Sequence, residues 1–326
     1  MQTSASSPRY KMTLISVIIP CYFNEANISV TGRRLIENEI NFDETYSFEY
    51  IFVDDGSKDK TWDELIKFQS KYPERIKVIK LSRNFSSTNA VYAALQYAEG
   101  DCNIVISADL QDPPELFSAL VKNWQSGFKI VVANRVNREE PLLQKILSNL
   151  THTLIQRFAI KDVPRGGFDM NLFDREIRDR LIAMEDRNSF FPYLLMWLGF
   201  EYVTVPYTRR KREIGKSSYT FGKKVTAFID SFVAFSYFPI RAISAVGILL
   251  GLIGFVYGSV VLVTKLSGGV SVDGWSSLIL IILLVSGFQL TAIGILGEYL
   301  WRTLDASRKR PGYIIEKIRL PGNRRF

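Results

Sequence analysis

Two long uncharged segments near the C-terminus constrain the fold of this 326-residue chain more than any other feature. Residues 242–264 and 275–297 each contain 23 consecutive residues without a charged side chain, and most of them are apolar. A helix of that length rises about 34 Å, whereas the hydrocarbon core of a bilayer is about 30 Å thick. The segments therefore predict two transmembrane helices. A buried helical hairpin in a soluble domain is the alternative.

The distribution of charge predicts how these helices are oriented. Residues 207–326 hold 17 basic and 6 acidic side chains, whereas residues 1–206 hold 24 and 27. Only one basic residue lies in the loop 265–274. Because cytoplasmic loops are enriched in Lys and Arg, we expect a multi-pass protein of the inner (plasma) membrane with both termini cytoplasmic. Basic residues beside bilayer helices bind anionic headgroups, so no nucleic-acid partner is expected.

The first 206 residues alternate short apolar runs with amphipathic runs, which is typical of an α/β fold with a mostly parallel sheet. Strands are predicted at residues 14–20, 50–53, 76–81, 103–107 and 129–133. Helices are predicted at residues 28–39, 61–72, 87–98, 114–126 and 140–158, with an interfacial helix around 223–235. The predicted parts are a catalytic domain (1–206), a basic juxtamembrane segment (207–241), a transmembrane hairpin (242–297) and a basic tail (298–326).

Polar side chains follow three predicted strands, at the edge where open parallel sheets bind ligands. These constellations are residues 20–25, 53–57 and 107–115. Asp54 or Asp55 can accept the N–H of a pyrimidine base, although the same segment also fits a turn and a helix N-cap. Asp109, Gln111 and Asp112 supply oxygen ligands of the kind that Mg²⁺ or Mn²⁺ prefers. Such an ion would neutralise the charge of a departing diphosphate.

A cationic cluster precedes the first apolar segment, where a lipid phosphate would need one. Its members include Arg209, Arg210, Arg212 and Lys216. Anchoring of the membrane helices by positive charge is the alternative explanation. A phosphate monoester is already anionic at pH 7. Transfer of a group to such an acceptor can therefore depend on positioning and charge stabilisation rather than on a general base.

Several motifs, in order, resemble the family 2 glycosyltransferases of the dolichol-phosphate mannose synthase type. The closest resemblance is to the bacterial bactoprenol (undecaprenyl-phosphate) glucosyltransferase branch. The motifs are residues 22–25, 53–59 with Thr61, 81–85, 108–115, 215–219 and 310–315. The resemblance implies a GT-A domain followed by two transmembrane helices, inverting transfer and a divalent metal ion.

The resemblance also implies roles for single side chains. The expected nucleotide-binding residues are Pro20, Tyr22, Glu25, Asp54 and Asp55. Asp109 would bind the metal with Gln111, and Asp112 is a further candidate. Arg135 would lie near the phosphates, and Asp169 is the candidate base or orienting group. Arg212 and Lys216 match family positions and are the favoured acceptor residues.

Two positions depart from the family pattern. Ser107 stands where relatives usually have the first Asp of Asp-Ala-Asp-Leu-Gln, and Asn171 stands where they commonly have Arg. The first change removes an anionic ligand. It therefore predicts lower metal affinity, or replacement of that ligand by Asp112 or water.

The leading hypothesis is transfer of a hexose, first of all glucose from UDP-glucose, to undecaprenyl or another polyprenyl phosphate. The alternatives are a glycolipid synthase that uses a diacylglycerol hydroxyl, and a nonenzymatic membrane scaffold. Processive polysaccharide synthesis is disfavoured because the Gln-x-x-Arg-Trp signature is absent. Glycines 247, 251, 254 and 258 lie at close helical spacing, which indicates either tight packing that would allow a homo-oligomer or glycines that face lipid.

Overall fold

The computed structural model describes residues 12–137, 152–160, 163–164, 166–184, 186, 189–210, 232–233, 235–267 and 274–323. These residues form two compact units. The first contains the described residues up to Thr153, those from 163 to 210 and those from Pro311 onward. The second contains residues 154–160 and the described residues from Phe232 to Arg310. The predicted tail, 298–326, is thus divided between the two units.

Within the described residues, the first unit is built on an eight-stranded sheet with the order β7-β5-β6-β4-β1-β2-β3-β8. The strands are β1 (Thr13–Cys21), β2 (Tyr46–Asp54), β3 (Ile76–Leu81), β4 (Cys102–Val105), β5 (Ile130–Asn137), β6 (Asn171–Asp174), β7 (Tyr202–Thr208) and β8 (Ile315–Arg319). Strands β1 to β5 and β7 share one direction, and β6 and β8 run antiparallel to their neighbours. The predicted mostly parallel sheet is confirmed.

Helices cover both faces of the sheet because successive strand residues point to opposite sides. They are α1 (Ile28–Glu37), α2 (Thr61–Gln69), α3 (Ser87–Leu95), α4 (Phe117–Gln125), α6 (Arg175–Met184) and α7 (Phe191–Trp197). A further helix, α5 (152–158), belongs mostly to the second unit. Val17 of β1 packs in one core with Leu35 of α1 and Leu120 of α4. On the opposite face, the ring of Phe191 in α7 packs against the ring of Phe173 in β6.

The structure differs from the sequence prediction mainly in three strands that were not foreseen. β6 lies between β4 and β5 and pairs antiparallel with both. β7 pairs with β5, and it extends past the expected domain boundary at residue 206. β8 pairs antiparallel with β3, with Ile318 opposite Ile79, which places part of the expected tail in the sheet. Most of the predicted helices at 140–158 and 223–235 lie outside the described residues.

The second unit contains two long helices, Phe238–Leu266 and Trp275–Ser307, which coincide with the two predicted apolar segments. Among the described residues, Phe238–Thr264 is the one helix that is long and apolar enough to cross a membrane. Its most apolar stretch is 0% buried inside the protein. The second transmembrane helix therefore stays a prediction.

The glycines of the first long helix have different surroundings. A β-carbon added at Gly247 would lie 3.6 Å from the ring of Phe288 on the second long helix. One added at Gly251, Gly254 or Gly258 would meet no described atom within 4 Å. The two long helices thus approach each other at Gly247, where a β-carbon would make an ordinary van der Waals contact. Packing between two copies of the chain stays a prediction.

Candidate functional site

The strand order reverses beside β1, and this reversal positions the site. β2 follows β1 on one side, whereas β4 pairs with β1 on the other. In open α/β sheets, ligands bind beyond the carboxyl ends of the strands at such a switch point. Thr31 of α1 donates a hydrogen bond of 2.7 Å to the backbone oxygen of Ala108, which joins the loop after β4 to the helix that follows β1. The predicted constellations therefore lie at one edge of the sheet.

Hydrogen bonds from backbone N–H groups fix the loop after β1. Four successive N–H groups, those of residues 22–25, each donate to a side-chain oxygen at 2.7–3.5 Å. The acceptors are Asn24 Oδ1, Ser57 Oγ, Thr61 Oγ1 and Asp59 Oδ2. Glu25 Oε2 in turn accepts from the N–H of Lys60 at 2.9 Å. The loops after β1 and β2 are therefore joined, and the half-exposed ring of Tyr22 is left facing outward.

The two aspartates at the end of β2 are both buried, but their oxygens have different partners. Asp54 Oδ1 accepts from the N–H of Ser57 at 2.9 Å, whereas its Oδ2 is buried without a hydrogen-bond partner among the described residues. Asp55 accepts from the N–H groups of Phe85 and Ser86 at 2.7 and 3.1 Å. Burial raises the pKa of Asp54, and burial raises the pKa of Asp55 to about 6. Asp55 thus anchors the loop after β3, and Asp54 retains an acceptor atom.

Gly56 allows this turn to approach the loop after β3. Its φ is +68°, a conformation that side chains disfavour. A β-carbon at this position would also lie 2.3 Å from the carbonyl carbon of Arg83. The turn after Asp54 and Asp55 therefore requires glycine on both grounds.

Ser107 joins the carboxylates of the loop after β4. Its hydroxyl lies 2.7 Å from Asp109 Oδ1 and 3.3 Å from Asp112 Oδ2. The N–H of Gln111 also donates to Asp109 Oδ1, at 3.2 Å. Where the family pattern has an additional carboxylate, this chain thus has a hydroxyl that hydrogen-bonds the remaining two.

Asp112 is fully buried and is held by residues from β7 and beyond. The hydroxyl of Tyr207 donates to Asp112 Oδ1, and Arg209 Nε lies 3.6 Å from the same oxygen. Burial raises the pKa of Asp112, although the charge of Arg209 opposes this shift. These contacts make Asp112 an anchor of its loop.

The donor set fits a divalent ion that binds few protein ligands. Within the described parts of the chain, no group of three or more His, Cys, Asp or Glu side chains is arranged to hold a metal. Asp109 is half-buried beside Gln111, whereas Asp112 is used within the protein. Mg²⁺ commonly binds through one or two carboxylates with water and substrate phosphates as its other ligands. Asp109 and Gln111 match that mode.

Arg135 and Asp169 form an ion pair near the same edge of the sheet. Arg135 Nη2 lies 2.9 Å from Asp169 Oδ2, and the two side chains are 8% and 43% exposed. Arg135 Nε is buried and makes no hydrogen bond within the described residues. Gly167 accepts from the N–H of Arg135 at 2.9 Å, and a β-carbon there would lie 2.9 Å from the guanidinium carbon. Asn171, at the family's Arg position, donates to the backbone oxygens of Phe168 and Asp169.

The predicted acceptor residues are only partly described. Arg209 faces Asp112, and Arg210 Nη2 lies 3.1 Å from Glu115 Oε1. The N–H of Arg210 also donates to the oxygen of Gln111 at 2.9 Å. Arg212 and Lys216 lie outside the described residues. The first two cations of the cluster therefore have acidic partners on the loop after β4.

Two features of the site were not foreseen from the sequence. Tyr207 connects Asp112 with Arg135. Tyr207 was not identified from the sequence, because it lies near the end of β7, a strand that was not predicted. Backbone strain is the other feature, because three residues with positive φ lie in loops that follow β1, β3 and β4. They are Phe23 (53°), Ser86 (88°) and Leu110 (53°). Such strain clusters at functional sites, but bulky residues give no sequence signal for it.

Comparison with known proteins identifies the family. The family model described as glycosyl transferase family 2 matches residues 16–182. The uncharacterized glycosyltransferase YkcC of Bacillus subtilis (strain 168) is 37% identical over 303 residues, which are 93% of each chain. The prophage bactoprenol glucosyl transferase homolog of Escherichia coli (strain K12) is 30% identical over 94% of this chain and 99% of its own. The bactoprenol glucosyl transferase of Shigella phage SfV is 31% identical over 93% and 98%.

Solved structures resemble the chain more distantly. Glucosyl-3-phosphoglycerate synthase from Mycobacterium tuberculosis, in complex with Mn²⁺, UDP-glucose and glycerol 3-phosphate, is 17% identical to it. The match covers 70% of this chain and 82% of that one, with a TM-score of 0.42. The family match includes Asp54, Asp109 and Asp169, and it supports the expected GT-A fold. The chain therefore belongs to glycosyl transferase family 2, as its ordered motifs predicted.

Proposed function

We propose that this glycosyltransferase moves a hexose from a nucleotide sugar to a polyprenyl phosphate, with UDP-glucose and undecaprenyl phosphate as the first choices and with inversion at the sugar. Relatives that match almost the whole chain are named as bactoprenol glucosyl transferases. The site supports the same reaction through the meeting of three loops at the switch point beside β1. The loops after β1 and β2 would bind the nucleotide, and the loop after β4 would bind the diphosphate.

The nucleoside would be bound chiefly by Asp54. Its buried Oδ2 has no partner within the described residues, and an unpaired buried acceptor is costly, so the N–H of uracil is a fitting donor. The half-exposed ring of Tyr22 would complete the nucleoside site together with Pro20 and with Glu25, which joins the loop after β1 to the loop after β2. Asp55 would support the site indirectly, because both its oxygens hold the loop after β3.

The diphosphate would lie between Asp109 and Arg135. A divalent ion, Mg²⁺ or Mn²⁺, would neutralise charge on the leaving UDP when bound at Asp109 and Gln111. Arg135 is positioned by Asp169 and retains a buried N–H without a partner, which suits a phosphate oxygen. Asp169 is more exposed than Arg135, so it can also orient the acceptor. Asp112 would act by holding the shape of this loop.

The acceptor would be a phosphate delivered from the membrane. Arg209 and Arg210 begin the cationic cluster, and we propose Arg212 and Lys216 as its direct phosphate ligands. No deprotonation is needed, because the phosphate oxygen is already negatively charged at pH 7. We further propose that both long helices cross the inner membrane with both termini cytoplasmic, and that the glycine face of the first helix packs against a second copy.

The decisive experiment is a transfer assay with the purified full chain, UDP-[¹⁴C]glucose and undecaprenyl phosphate. We expect a divalent-dependent lipid product whose sugar is released by mild acid. An alkali-labile diacylglycerol glycoside as the sole product would instead support a glycolipid synthase. Absence of UDP release with every polyprenyl phosphate and nucleotide sugar tested would support a nonenzymatic scaffold.

Asp109→Asn tests the site within that assay. We expect turnover to fall by roughly 10²-fold or more, as when a group that stabilises transition-state charge is removed. Asp179→Asn is the matched control, because Asp179 is 58% exposed on α6. Thermal unfolding of both variants would show that the fold is intact. Unchanged turnover in Asp109→Asn would remove this residue from the mechanism.

A further inference from the structure

Phe23 has an unfavourable backbone conformation, and its side chain contributes little to the stability of the fold. Its φ is +53°, a region in which the β-carbon of an L-residue crowds the backbone. Its side chain is 52% exposed, so burial of the ring does not offset this strain. A bulky aromatic residue is a poor choice for such a position if stability alone matters, and glycine would be the better one.

The surrounding structure fixes Phe23 in this conformation. The N–H of Phe23 donates to Ser57 Oγ at 3.0 Å, and the N–H of the next residue, Asn24, donates to Thr61 Oγ1 at 2.9 Å. On the other side, the N–H of Tyr22 donates to Asn24 Oδ1 at 2.7 Å. The loop after β1 is thus tied to the turn that follows Asp54, and the strain is maintained by these bonds.

Among the described residues, the ring of Phe23 pairs with one other aromatic ring, that of Tyr22. Their centroids are 4.6 Å apart and their planes are inclined at 77°, which is an edge-to-face pair. Both rings are partly open, at 39% exposed for Tyr22 and 52% for Phe23. These two adjoining rings lie on a loop that is bonded to Ser57, whose own N–H donates to Asp54 Oδ1. Together they form an apolar surface that suits a planar heteroaromatic base.

We propose that Phe23 is a positioning residue of the nucleotide site, which holds the Tyr22 ring by edge-to-face contact so that the nucleobase packs against it. This inference rests on the proposed function, because it needs a nucleotide at the end of β1. The strained backbone is then retained for ligand binding and at some cost to stability. Removing the ring and the strain together should therefore change stability and affinity in opposite directions.

The test compares Phe23→Gly with the unmodified full chain in detergent. We expect the dissociation constant of UDP, measured calorimetrically with Mn²⁺ present, to rise about fivefold to tenfold, as the size of aromatic pair energies suggests. The thermal unfolding temperature should stay the same or rise, because glycine accepts positive φ. Ile40→Ala is the control, since Ile40 is 88% exposed on the turn Asn38–Asn41. It should change neither quantity.

A double-mutant cycle with Tyr22→Ala separates positioning from a merely structural role. If Phe23 acts through Tyr22, the double variant should bind UDP less weakly than the product of the two single effects predicts. Independent effects, or an unchanged UDP affinity in Phe23→Gly, would overturn the inference. Failure of the unmodified chain to bind UDP would instead count against the proposed function itself.

Discussion

The hydroxyl of Tyr207 donates a hydrogen bond to the carboxylate of Asp112 and so ties the end of β7 to the loop that carries Asp109. Both side chains are buried, and Asp112 is 0% exposed. Tyr207 also interacts with the guanidinium of Arg135. The residues proposed to bind the metal and the phosphates are therefore held in place through one tyrosine.

Replacing Tyr207 with Phe should destabilise the protein by about 1–3 kcal/mol, because a buried carboxylate would lose a hydrogen-bond donor. Thermal unfolding of the detergent-solubilised chain measures this effect. Tyr257→Phe is the control, since Tyr257 is 65% exposed on the first long helix. Equal unfolding temperatures for the two variants would contradict the anchoring role.

The buried ion pair between Lys77 of β3 and Glu49 of β2 should contribute more to stability than the hydrogen bond of Tyr207. Lys77 Nζ lies 2.7 Å from Glu49 Oε2, and both side chains are only 8% exposed. Lys77→Met leaves the buried Glu49 carboxylate without a cation, although the Ser16 hydroxyl and the N–H of Glu99 still donate to it. We therefore expect a loss of about 3 kcal/mol, at the lower end of the range for a broken buried ion pair. The exposed pair of Lys67 and Glu64 provides the comparison, because Lys67 is 68% exposed. Lys67→Met should cost less than about 1 kcal/mol, and a similar loss in both variants would contradict this reasoning.

Asp55 should make stability depend on pH. Burial raises its pKa to about 6, so the folded state holds the proton more tightly than the unfolded state. The contribution of Asp55 to the free energy of unfolding should therefore be largest below about pH 4, and should decline as pH rises through about 6. Asp55→Asn should flatten this decline in unfolding scans, in part only, because the pKa values of Asp54 and Asp112 are raised as well. An identical decline in the exposed control Asp63→Asn and in Asp55→Asn would exclude Asp55 as its source.

Removal of residues 311–326 should weaken the sheet at β3. β8 pairs with Val78–Leu81 of β3, and Gln69 Nε2 donates to the oxygen of Arg319 at 3.0 Å. Without β8, the ladder groups of β3 are open at the edge, which promotes aggregation. We expect faster hydrogen exchange of β3 amides and a lower unfolding temperature. A chain ending at Asn323 keeps β8 and should behave like the full chain; if both truncations behave alike, β8 is not needed.

Sequence patterns predicted the parallel core of the sheet well. The run 76–81 is mostly apolar, with Lys77 and Lys80 as its charged residues, and turn residues bound it. Its length, its apolar residues and the flanking turn residues together identify a strand. β6 is only four residues long, and β8 contains three charged residues in five, without strict alternation, and follows two long helices in the sequence. Such strands are defined by long-range pairing, which local patterns do not contain.

Much of the candidate site followed from strand ends. Asp54 and Asp109 were expected at one edge, and the strand order places both beside β1. The sequence did not predict which of these carboxylates are hydrogen-bonded within the protein, because their partners are distant in sequence. Asp112 accepts a hydrogen bond from Tyr207, and Asp55 accepts from the N–H groups of residues 85 and 86.

The position of β8 at the end of the chain sets an order for biosynthesis. The ribosome makes β3 early, but β8 emerges only after both long helices have been synthesised. At about 5–20 residues per second, the edge of β3 stays uncovered for tens of seconds. Pairing of β8 with β3 thus waits for the synthesis of both long helices, and a chain interrupted within those helices leaves the edge of β3 unpaired.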